Sequence, residues 1–87
     1  MRVIFSQHAL RRLAQRAIPR AWVENAIAAP DWTTPDPNDL GLTRAYKSIP
    51  EAGGQILRVV YSRTSNEHVF VVTAFPDRDA VPPVENE

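Results

Sequence analysis

The hydrophobic period of this chain changes once, across a proline-rich stretch at residues 30–42. Before that stretch, apolar residues recur every three to four positions, as on one side of a helix. After it they alternate or run on, as in strands. Helices that all precede the strands point to an α+β fold rather than to repeated crossover units. The pattern therefore predicts an N-terminal two-helix hairpin packed on one face of a three- to four-stranded antiparallel sheet.

Ser6 suits a helix N-cap, and QHALRRLAQRA (7–17) places Ala9, Leu10, Leu13 and Ala17 on one side. Pro19 cannot continue that helix but suits the first turn of another over 19–28, with Trp22, Val23, Ala26 and Ile27 as its apolar stripe. Pro30 ends it, and 30–42 (PDWTTPDPNDLGL) reads as loop. Strand-like runs follow at 43–49, 55–62 and 68–75, with turns at Gly53-Gly54 and Ser65-Asn66. The last two runs are apolar on both faces, so both faces should be covered. Residues 2–5 read as a short strand or an extended lead-in. Leu10, Leu13, Trp22, Ile27, Leu57, Val59, Val71 and Phe75 are the expected core. Residues 1–76 form one domain in this reading, with 77–87, rich in proline and acid, as a loose C-terminal tail.

A hydrophobic fraction of 44% excludes wholesale disorder, and no apolar run approaches a membrane span. The absence of cysteine excludes thiolate chemistry and fits the cytoplasm. Neither histidine has the spacing or helpers of a metal site, and no glycine-rich phosphate loop is present, so no metal or cofactor is expected. Net charge is zero but uneven. Residues 1–23 carry five arginines and no acid, a charge of +5; the remainder carries five basic and ten acidic residues, a charge of −5. These arginines either build a local anion site or pair with the acids along a solvated helix face.

His8, Arg12 and Arg16 recur at four-residue steps, each turning the helix by only about 40°, so they form one stripe. Placed on the helical wheel, Arg16 borders the apolar face, which would set the stripe along the seam between helix and sheet. Arginine offers a bidentate fork to phosphate and histidine can exchange a proton near neutrality, so the set suits phosphodiester chemistry. The bland alternative is a stripe of arginines whose stems cover the core. Arg58 interrupts the apolar run ILRVVYS, on the face of Ile56 and Val60. A charge there needs a partner, so it is either half of a structural ion pair or a phosphate clamp. Arg44, Tyr46, Lys47, Tyr61 and Thr73 are the substrate-binding candidates around it.

In order along the chain stand Phe5-Ser6, His8-Ala9, Arg12, Arg16 and Ile18; then Asn25-Ala26-Ile27 with Pro30-Asp31; then Tyr46-Lys47, Leu57-Arg58-Val59-Val60-Tyr61 and Val71-Val72-Thr73-Ala74-Phe75-Pro76. This series, from Phe5 to about Arg78, resembles the DUF4258 family of small bacterial and phage-encoded ααβββ domains. That family is grouped with RelE/BrnT-like and colicin-nuclease-like toxins, so the resemblance implies a metal-independent ribonuclease. His8, Arg12, Arg16, Arg58 and Thr73 are the residues onto which its pattern carries. Pro19 departs from the family's usual capping residue, and the neutral net charge departs from the basic character of such toxins. As an enzyme, the chain would use His8 to move the 2′-OH proton, Arg12, Arg16 and Arg58 to hold the phosphorane, and Tyr46 or Tyr61 as acid or stacking partner. RNA and an antitoxin-like protein are the implied partners, and a dimer through a sheet edge is compatible with the fold. The alternative is a non-catalytic module whose arginine-lined seam holds an acidic protein or a nucleic-acid backbone.

Overall fold

The computed structural model describes residues 1–84. Its order is β1 (Arg2–Phe5), α1 (Gln7–Gln15), α2 (Arg20–Ala28), β2 (Trp32–Pro35), β3 (Thr43–Ile49), a 3₁₀ turn (Pro50–Ala52), β4 (Gln55–Arg63) and β5 (His68–Pro76). The five strands form one sheet in the order β1-β5-β4-β3-β2. The mixed α+β class holds, with two corrections. The sheet has five strands rather than three or four, and β1 runs parallel to β5, so the sheet is mixed rather than antiparallel. Of the two readings of residues 2–5, the strand is the one found. No described helix is long and apolar enough to cross a membrane.

Local chemistry fixes the helices. The Ser6 hydroxyl accepts the Ala9 N–H at 2.9 Å and caps α1. At its other end Ala17 turns left-handed (φ 54°). The Ile18 and Ala17 N–H groups then donate back to Leu13 O (2.9 Å) and Ala14 O (3.2 Å), a Schellman closure with Leu13 and Ile18 both buried. Pro19 stands extended as the N-cap of α2, and Pro30 follows its end. β2 lies inside the stretch expected as loop. Trp32, Thr33 and Thr34 favour extended backbone, and Pro35 is tolerated because β2 is an edge strand.

Both helices pack on one face of the sheet. Ala9, Leu13, Val23, Ala26 and Ile27 meet Ala45, Ile49, Leu57, Val59, Tyr61, Val69, Val71 and Ala74, with Trp22, Val3 and Phe5 partly buried against them. The other face carries no helix, and the expected cover on both sides holds only in part: Val60 and Tyr46 are buried there. Ile4, Phe70 and Val72 there remain 39%, 36% and 37% exposed. Phe75 also points to this face rather than into the core. Its register shows why: Tyr61 pairs with Val71 but Val60 pairs with Thr73, so a β-bulge leaves Val72 over. Beyond it the alternation of β5 inverts. Ala74 turns inward, and Thr73 and Phe75 turn outward with Arg58.

Candidate nucleic-acid interface

β1 stops at Phe5, opposite Val71, while β5 continues to Pro76. The second half of β5 therefore has a free edge, and the end of α1 lies beside it. Arg16 Nη1 donates to Ala74 O at 2.9 Å and to Thr73 Oγ1 at 3.5 Å. Its guanidinium sits 5.8 Å from the centre of the Phe75 ring. Arg20, opening α2, lies 6.0 Å from the centre of Phe5. None of Arg2, Arg11, Arg12, Arg16 and Arg20 forms an ion pair among the described residues, and all five are exposed. Arg16 and Arg20 thus set their charge beside Phe75 and Phe5, while Arg2, Arg11 and Arg12 lie exposed on β1 and α1.

Arg58 stands mid-strand on β4, directly opposite Tyr46 and Phe75 on the neighbouring strands. Its guanidinium lies 4.8 Å from the Phe75 ring centre and 5.8 Å from that of Tyr46. Trp32 of β2 stacks on the far side of this group, 4.7 Å from Tyr46 and tilted by 8°. Arg16, Thr73, Phe75, Arg58, Tyr46 and Trp32 thus make a row of cations and rings across the helix-free face. A guanidinium packed on rings can offer its remaining N–H groups to a phosphate or a base, but Nε and Nη2 of Arg58 are already taken by Asp77.

The row has fixed charges of its own. Arg58 donates through Nε to Asp77 Oδ2 at 3.0 Å and through Nη2 to the same oxygen. These bonds hold the Asp77 carboxyl below the usual carboxylate range against its own burial. Arg44 donates through Nε to Asp36 Oδ2 at 3.1 Å. Asp36 is likewise held low, first by the Asn38 N–H at 2.9 Å, then by Arg44 and the Asp39 N–H.

The remaining sequence candidates fall elsewhere. His8 and Arg12 project from exposed positions on α1, and His8 lies two turns, roughly 12 Å, along the axis from Arg16. Lys47 is on the helix side, donating to Ala29 O at 2.7 Å and closing the end of α2. Tyr61 is core. The structure therefore gathers Arg16, Arg58, Thr73 and Tyr46, and leaves His8, Arg12, Lys47 and Tyr61 outside that row. Sequence reasoning missed Trp32, Phe75 and Asp77. The mid-strand Arg58 signalled that a partner was needed, and Asp77, the residue just after β5, supplies it.

No curated protein and no solved structure shows significant similarity to this chain. One family profile does, described as Domain of unknown function (DUF4258), matching residues 5–76. The matched span takes in both helices, the seam between α1 and β5, and every side chain of the row, and on that match the chain belongs to the DUF4258 family.

Proposed function

We propose that the protein is a nucleic-acid-binding module that takes single-stranded RNA along the α1–β5 seam onto the helix-free face of the sheet. The observation that carries this is Arg16, exposed and without an ion-pair partner among the described residues, beside the Phe75 ring at the free edge of β5, with Arg12 one turn away on the same exposed stripe of α1. Single-strand binders combine these two elements: cations that follow the backbone and aromatic platforms that accept any base. Zero net charge does not oppose it, because residues 1–23 carry five arginines and no acid, and the acids on the face itself, Asp36 and Asp77, are paired with Arg44 and Arg58. Fluorescence anisotropy with a single-stranded RNA of about twelve nucleotides tests it. Arg12→Ala with Arg16→Ala should weaken binding and flatten the salt dependence by about 0.7 per lost phosphate contact. Salt-independent binding, or a double variant that binds as the wild type does, refutes it.

A second reading is the metal-independent ribonuclease, favoured by His8, which shares the stripe of Arg12 and Arg16 and is exposed to solvent. Its distance from the ring-flanking arginines places it second. RNA should then be cleaved in the presence of chelator, and His8→Ala should slow cleavage by about 10²–10⁴-fold. RNA that stays intact on long incubation leaves the binding module.

A further inference from the structure

Arg58 is the cation at the centre of the open face, and its partner comes from the segment that follows the last strand. A single Asp77 oxygen accepts from both Nε and Nη2, the edge of the guanidinium that would otherwise hold a phosphate oxygen. The segment is fastened around that contact. The Asp77 N–H donates to Ile56 O at 2.8 Å, and Asp77 Oδ1 accepts the Asp79 N–H at 2.9 Å. Further along, Pro82 and Pro83 join Trp32, Ile56 and Ser48 around an open cleft of about 490 Å³. The segment therefore touches the row at Arg58 and borders it again at Trp32.

From this arrangement we infer that the segment is a built-in competitor. Asp77 occupies the phosphate position on Arg58, and full engagement of a nucleic-acid strand requires the segment to leave. This rests on the nucleic-acid reading of the face. Exchange of one anion for another is favourable ground for such a device. Arg58 is paired before and after, so neither state leaves an orphaned, half-buried charge, and the released carboxylate is rehydrated. Arg44 offers no parallel, because Asp36 belongs to the loop that joins β2 to β3 and is tied there by two backbone N–H groups.

The test compares the full-length wild type with Asp77→Asn and with Asp79→Asn, an equal charge change at an exposed neighbour. Inorganic phosphate is titrated while the Arg58 Nε–H resonance is followed by NMR, and single-stranded RNA is titrated by anisotropy. In Asp77→Asn the resonance should move saturably with phosphate, whereas in wild type it should stay. RNA affinity should rise about tenfold in Asp77→Asn, as expected for one added charged hydrogen bond, with a salt slope steeper by about 0.7. Asp79→Asn should behave as wild type. Equal gains in both variants, or an Arg58 resonance indifferent to phosphate in Asp77→Asn, overturn the inference. Asp77→Ser keeps an acceptor for the Asp79 N–H; if it and Asp77→Asn both unfold, Asp77 is a structural pin and the inference fails. If RNA binds none of the three proteins while Arg58 still answers phosphate in Asp77→Asn, the nucleic-acid reading fails and the masked anion site stands. RNA bound equally by all three, with Arg58 silent, removes the competitor and keeps the module.

Discussion

Ala17 carries backbone strain that a smaller residue would relieve. Its left-handed φ of 54° is required by the Schellman closure of α1, and a Cβ there costs roughly 1–2 kcal/mol. Part of the gain from glycine is returned as greater freedom of the unfolded chain, so Ala17→Gly should stabilise by about 0.5–1 kcal/mol. Calorimetry should register this as a melting temperature higher by roughly 2–8 °C; no change would mean that the turn relaxes without strain. Leu57, 3% exposed in the core, gives the opposite case, and Leu57→Ala should cost about 2–5 kcal/mol in denaturant unfolding. At this scale much was legible. Ser6 announced its cap, and Ala9, Leu13, Val23, Ala26, Ile27, Leu57 and Val59 announced their burial, whereas Leu10 and Trp22 are only half-buried and Ala17 is exposed. Arg58 announced that it needed a partner. Its identity was hidden, because Asp77 lies in a segment whose composition reads as tail and whose position is set by pairing.

Among the elements, α1, α2, β3, β4 and β5 were readable from period alone. β2 was not, since four residues between prolines and aspartates give alternation too little length to show. Nor was the parallel register of β1, which depends on where the other end of the chain arrives. The bulge at Val72 had a larger effect on the site. Strict alternation from Val69 and Val71 puts Thr73 and Phe75 in the core, and one surplus residue turned both of them outward beside Arg58. β2 is held at the sheet edge by its pairing with β3 and by the stack of Trp32 on Tyr46. Trp32→Ala should therefore speed hydrogen exchange at the amides that pair β2 with β3, leaving β4 protected. Uniform loss of protection across the sheet would show instead that the stack supports the whole fold.

For the molecule as a whole, acid is the informative perturbation. Asp36 and Asp77 both have carboxyl groups held below the ordinary value of about 3.9. A depressed carboxylate contributes its full stability above the unfolded value and loses it as pH falls through the folded one. Unfolding followed by urea should therefore show stability declining below about pH 4, and Asp36→Asn with Asp77→Asn should make that decline shallower. An unchanged acid limb would place the acid sensitivity in other groups. The parallel pairing of β1 with β5 bears on a different matter, the order of biosynthesis. A ribosome makes Arg2–Phe5 well before their partners His68–Val71, so β1 waits on the order of seconds with nothing to pair against. The sheet closes only after translation has passed β5. Nascent or prematurely terminated chains that lack β5 would expose Val3, Phe5 and the edge of β4 to chaperones and proteases.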